Sequence, residues 1–119
     1  MLERIKGAPA NALALEASGT VMSRDVEQAA GAALGSAGGA TGLVVVISED
    51  FDGYMAELER GLANVSQAHK TILRIALVTG PGQVDEAKNS GWSEAAVPIR
   101  VFATSERRAA LDWAAARGE

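Results

Sequence analysis

The sequence predicts an α/β fold: a mixed, mostly parallel five-stranded sheet with four helices, in the order ββαβαβαβα. Three observations predict it. Short runs of alternating or β-branched apolar residues recur at 12–18, 42–48, 71–79 and 98–103. Stretches with helical apolar spacing separate them. Two strand-like runs also stand together at the start, close enough to pair as an antiparallel hairpin. Alternating βα units favour right-handed crossovers between parallel strands, and the hairpin adds one antiparallel edge.

Each element has its own local reason. Leu2–Lys6 is a short strand, closed by the turn formers Gly7, Pro9 and Asn11. Ala12–Ser18 alternates, with Leu13, Leu15 and Ala17 on one face and Glu16 and Ser18 on the other. Ser23 reads as an N-cap and Asp25 meets the positive end of the helix dipole. Val26, Ala29, Ala30, Ala33, Leu34 and Ala37 then recur at helical spacing, so Arg24–Ser36 is an amphipathic helix stopped by Gly38 and Gly39. The β-branched run Val44–Ile47 makes Gly42–Ser48 a strand buried on both faces, hence central. Met55, Leu58, Leu62 and Val65 form one stripe of a second helix, Tyr54–Asn64. Thr71–Thr79 is a strand with Leu73, Ile75 and Leu77 on one face, broken by Gly80, Pro81 and Gly82. Gln83–Asn89 is a weak helix with only Val84 and Ala87 to bury. Pro98–Ala103 is the last strand. Thr104 or Ser105 then caps a closing helix, Glu106–Ala116, that buries Ala110, Trp113 and Ala114.

Composition excludes much chemistry. At 119 residues, with no linker or repeat, residues 1–119 form a single domain. The absence of cysteine rules out disulfides, thiolate metal sites, iron–sulfur clusters and a cysteine nucleophile. One histidine, His69, rules out a two-histidine metal site within one chain. It stands between a helix and a strand with no nucleophile or orienting partner signalled, so solvent exposure is its simpler account. The net charge of −4 argues against a nucleic-acid binder, which needs a basic face. The longest apolar run, Leu43–Ile47, is far short of the ~20 residues that span a bilayer, so no stable membrane insertion is expected. No leader-like succession opens the chain, and a cytoplasmic location is expected. The 24 alanines and 13 glycines imply a core of small side chains with few large anchors.

The opening ERIKGAPANALALEASGTVMSRD, the strand and loop VVVISEDFDGY, and the closing IRVFATSERRAALDWAA together resemble the SpoIIAA-like family, small bacterial proteins with a STAS-type fold. Gly19 after the second strand, Ser23 with Asp25, Phe51-Asp52-Gly53, Phe102 and Trp113 carry the resemblance in order and spacing over about residues 1–117. It implies a mixed sheet with helices packed on it and contacts to a ligand or partner near the start of the second helix. Anti-sigma antagonists of this fold carry a phosphorylatable serine at the start of the helix after the third strand. Here that junction reads Ser48-Glu49-Asp50-Phe51-Asp52-Gly53-Tyr54. Ser48 falls at the strand end, and the three carboxylates that follow oppose added phosphate charge. The third-helix region, usually apolar and aromatic in relatives, is polar here and leaves only Trp92 just beyond it.

The acidic loop draws the eye, with Glu49, Asp50, Asp52, Glu57 and Glu59 within eleven residues. Ser48, Asp50, Asp52, Gly53 and Glu59 even fall at positions 1, 3, 5, 6 and 12 of an EF-hand loop. A strand precedes it instead of a helix, and no second hand exists, so complementing the helix dipole is the better reading and no metal is expected. Thr79-Gly80-Pro81-Gly82 lacks the lysine and serine or threonine of a phosphate loop and reads as a tight connection. Arg100, Arg107, Arg108 and Arg117, set against the acidic loop, offer complementary faces for a homodimer; charges on a solvated face are the simpler account.

These residues favour a non-enzymatic binding or regulatory domain that contacts a protein or small ligand through about 49–62. The candidate contacts are Phe51, Asp52, Gly53, Tyr54, Met55, Leu58 and Trp92, with Ser48 as a candidate phosphosite. No catalytic residue and no cofactor is expected. The alternative is a carrier or sensor of a small apolar, lipid-like ligand held between the sheet and the second helix. Close approach of small-residue helices to the sheet would remove that space.

Overall fold

The computed structural model describes residues 2–5, 12–37, 41–51, 55–68, 72–80 and 97–115. Its strands are β1 (Leu2–Ile5), β2 (Ala12–Ala17), β3 (Thr41–Ile47), β4 (Ile72–Thr79) and β5 (Ile99–Ala103). They form one sheet in the order β1-β2-β3-β4-β5. β2 to β5 are parallel neighbours, and β1 lies antiparallel at the β2 edge. Three α-helices are present among the described residues: α1 (Ser23–Ala37), α2 (Met55–Ala68) and α3 (Arg107–Ala115). Four were expected. The weak polar helix read at residues 83–89 lies outside the described residues.

Strand alternation sorts the core into two layers. Leu15, Val45 and Leu77 share a cross-sheet row, and Leu13, Leu43 and Ile75 share another. These rows meet Val26, Ala30 and Ala33 of α1 and Leu58, Leu62 and Val65 of α2. The alternate residues Ala14, Val44, Val46, Ala76, Val78 and Phe102 face the other way, onto Ala110 and Ala114 of α3. Val44–Ile47 is therefore apolar throughout because β3 is covered on both sides, as its β-branched run implied.

Small residues set the spacing of the layers. A Cβ built on Gly61 of α2 would lie 2.5 Å from Val26 Cβ and 3.0 Å from the Ser23 carbonyl oxygen, so α1 and α2 touch there backbone to side chain. A Cβ on Gly42 of β3 would fall 2.9 Å from Ala114 Cα and overlap the Ala114 carbonyl. The glycine and alanine excess thus has defined positions: it lets helices approach one another and the sheet.

Several boundaries differ from the sequence expectation, each for a local reason. α1 begins at Ser23, so Met22 occupies the cap position in place of Ser23. The Met22 carbonyl accepts from the Asp25 and Val26 amides, and Asp25 Oδ2 accepts from the Met22 N–H at 2.9 Å. This is the reciprocal half of a capping box, with no side-chain oxygen at the cap itself. α2 runs on to Ala68, past Asn64, because Val65 and Ser66 are buried; Ser66 Oγ donates to the Ala63 carbonyl at 2.7 Å. The last helix starts at Arg107 after a 3-10 turn, Thr104–Glu106, whose Glu106 Oε1 accepts from the Ala103 N–H at 3.1 Å. Neither Thr104 nor Ser105 caps it.

Leu73 also departs from expectation. Thr41 pairs with Ile72 while Gly42 pairs with Arg74, so the register shifts there and Leu73 is skipped. This irregularity turns Leu73 out to 44% exposure, off the face it was expected to share with Ile75 and Leu77.

A contact between residues far apart in sequence fastens α1 to α2. Glu57 Oε1, in the first turn of α2, accepts from the Ser23 N–H at 3.1 Å. It satisfies one of the amides left open at the start of α1. Glu57→Ala is expected to lower unfolding free energy by about 1 kcal/mol, the usual value of a lost cap. Glu57→Gln, which keeps the acceptor oxygen, should retain most of it in urea unfolding. Equal losses in the two variants would show that the hydrogen bond is not what Glu57 contributes.

Candidate functional site

The candidate site begins where β3 leaves the sheet. The Ser48 N–H donates to the Ala17 carbonyl at 2.8 Å, extending the β2–β3 ladder one residue past the strand. The chain then turns: the Phe51 N–H donates to the Ser48 carbonyl at 3.1 Å, a hydrogen bond that closes a four-residue turn. Glu49 and Asp50 are its central residues, and both are exposed. Phe51 is half-buried and packs against the core layer shared by α1 and α2. An aromatic anchor at one end and a ladder hydrogen bond at the other hold two carboxylates out into water.

Neighbouring segments end at the same edge of the sheet. β2 continues through Gly19, whose φ of +59° lies in the left-handed region that favours glycine, and through exposed Thr20. Val21 is fully buried, and Met22 is 46% exposed as α1 begins. The bond from Ser23 to Glu57 places the start of α2 beside the start of α1. The carboxyl ends of β2 and β3 therefore share one surface carrying Thr20, Met22, Glu49, Asp50 and part of Phe51.

The sequence-predicted contacts divide among core, surface and residues outside the description. Phe51 sits at the edge just described, with Ser48, half-buried, at its base. Leu58 has no exposure and lies in the continuous core with Leu62 and Val65, so it packs α2 on the sheet. Met55 opens α2. Asp52, Gly53, Tyr54, Trp92 and His69 lie outside the described residues. Thr79 is fully buried at the end of β4 and Gly80 follows it. Glu59, the twelfth EF-hand position, lies within α2, and β3 precedes the loop where an EF-hand has a helix. Among the described residues, no three His, Asp or Glu side chains converge as metal ligands.

Sequence reasoning missed Met22 as a surface residue and Glu57 as the cap of α1. Met22 carried a weak signal, an apolar residue with no periodic partner just before the helix. Glu57 carried none, because its acceptor role depends on a residue 34 positions away.

Of the arginines set against the acidic loop, Arg117 lies outside the described residues and the other three sit on the opposite layer. The Arg100 guanidinium lies 5.2 Å from the Phe102 ring centroid, and Arg100, Arg107 and Arg108 are exposed. They belong to β5 and the start of α3, whereas Glu49 and Asp50 follow β3. Trp113 was expected in the core; it is half-buried, 6.0 Å from Phe102 between ring centroids. No helix among the described residues is long and apolar enough to cross a membrane.

No curated protein matches the chain. Among solved structures, it is similar to an uncharacterised protein of the DUF3478 family from Shewanella loihica PV-4, which has a SpoIIAA-like fold. The two are 20% identical with a TM-score of 0.62, over 96% of this chain and 92% of that one. At this identity the likeness speaks for the fold. The SpoIIAA-like family model matches residues 12–115, from the start of β2 to the end of α3. The chain belongs to the SpoIIAA-like family.

Proposed function

We propose that this chain is a non-enzymatic binding and regulatory domain whose partner is a protein, engaged through the Ser48–Phe51 turn and the start of α2. One observation carries the reading: the turn fixes Glu49 and Asp50 in water while Phe51 is seated half-buried beside them. The turn follows a parallel strand at its carboxyl end, where open α/β sheets carry their binding sites. A loop held on a rigid scaffold is the usual way such folds present contacts. The full burial of Leu58 and Leu62 between α2 and the sheet favours this surface contact over a ligand held inside. STAS-type domains commonly act as regulatory modules that bind proteins, and a cytoplasmic setting suits the cysteine-free sequence.

Charge and aromatic contributions separate by mutation. Glu49→Lys with Asp50→Lys should abolish capture of the partner from the host, with unfolding free energy changed by less than about 0.5 kcal/mol, as for ordinary surface substitutions. Phe51→Ala should weaken capture and also cost some stability. Native mass spectrometry of the protein purified from its own host should give the bare polypeptide mass. A retained small molecule that disappears in Phe51→Ala would replace the protein-partner reading with the apolar-carrier one.

A further inference from the structure

Helix α3 covers its face of the sheet alone among the described residues, and its hold is uneven. It contributes two fully enclosed side chains, Ala110 and Ala114, with Leu111 and Trp113 partly buried beside them. Its leading residues contribute little to that hold: Arg107, Arg108 and Ala109 are exposed, following the Thr104–Glu106 turn.

The fastening sits at the other end. Arg74 of β4 is only 8% exposed, and its Nη1 donates to the Trp113 carbonyl at 2.9 Å. The same guanidinium lies 5.5 Å from the Trp113 ring centroid. Trp113 in turn leans on Phe102, and Ala114 rests on Gly42. A cation on the last carbonyls of a helix also meets the negative end of its dipole. α3 has no basic residue of its own in that last turn, and it carries the carboxylate of Asp112 there. Its nine described residues are fewer than the ~12–15 that an isolated helix needs in water. Its helicity therefore depends on its packing against the sheet, to which Arg74 adds the contact at the C-terminal end.

We propose that α3 is a strap, latched at its C-terminal end by Arg74, that lifts from the sheet as a unit while β2–β5 and the α1–α2 layer stay folded. Lifting bares the apolar surface of Val44, Val46, Val78 and Phe102. This motion is independent of the Ser48–Phe51 turn, which lies against the opposite layer.

Native-state hydrogen exchange on the full chain tests it. In the wild type, the amides of Ala110–Ala115 should exchange through a sub-global opening, at lower denaturant cost than those of β3 and β4. Arg74→Gln should speed exchange of those amides roughly tenfold to a hundredfold, the size of one lost hydrogen bond to a charged group. Protection in β3 and β4 should hold. Gly42→Ala reaches the same end sterically, by pushing against Ala114. If neither variant folds, the wild-type denaturant series still decides. Exchange of α3 only with global unfolding, or loss of protection in α3, β3 and β4 together in the variants, would overturn the proposal.

Discussion

Leu58→Ala is expected to lower the unfolding free energy by about 3 kcal/mol, within the range for leucine-to-alanine changes in closed cores. Leu58 has no exposure and sits among Leu62, Val65, Val45 and Leu77. Truncation removes three heavy atoms from a layer already held at close quarters by Gly61 and the small residues of α1, so the site has little room to collapse. The urea midpoint should fall with an unchanged slope. A domain of this size has roughly 5–15 kcal/mol in total, so the change is large. A loss below about 1 kcal/mol would mean that Leu58 lines a cavity open to a ligand, and the apolar-carrier reading would gain what the surface reading loses.

Gly61→Ala should cost about 2 kcal/mol, against the grain of helix propensity. In an exposed helix interior the same change gains about 1 kcal/mol. Here the added methyl meets Val26 Cβ at 2.5 Å and Cγ2 at 2.9 Å, so the helices must separate or the backbone must shift. Relief should come from the partner residue in a specific way. Val26→Ala removes Cγ2 and leaves the nearer Cβ in place, whereas Val26→Gly removes both. A double-mutant cycle of Gly61→Ala with Val26→Gly should therefore show favourable coupling of about 1 kcal/mol or more, and the cycle with Val26→Ala less. Strict additivity in both cycles would show that α1 and α2 do not meet at these two residues.

The sheet was legible because strand burial writes itself into local sequence. Val44–Ile47 announced a strand covered on both sides, and the structure sends Val44 and Val46 to α3 and Val45 and Ile47 to α1 and α2. The stripe Leu58, Leu62, Val65 likewise announced the buried face of α2. What escaped was set between residues distant in sequence. Leu73 alternates like a core residue, and only the register shift opposite Thr41 and Gly42 turns it outward. Arg74 reads as a surface cation in a strand, yet it is buried because the Trp113 carbonyl, 39 positions on, accepts from it. Glu57 looked like one more acid at a helix start and proves to belong to the cap of the neighbouring helix.

The candidate site was legible in part for the same reason. An aromatic beside carboxylates just after a central strand marks a place, and the structure puts Phe51, Glu49 and Asp50 on one turn there. Helical spacing also nominated Leu58, since periodicity cannot distinguish a side chain lining a site from one that closes it.

Partners are proposed to meet the surface built on the Ser48–Phe51 turn. In-cell photocrosslinking addresses this directly, with a photoreactive amino acid placed at position 49 and, separately, at position 108 on exposed Arg108 of α3. A discrete protein adduct is expected from position 49 that disappears when Asp50→Lys is added, and none from position 108. An adduct from position 108 with none from position 49 would contradict this placement, and would move the interaction surface to the α3 face.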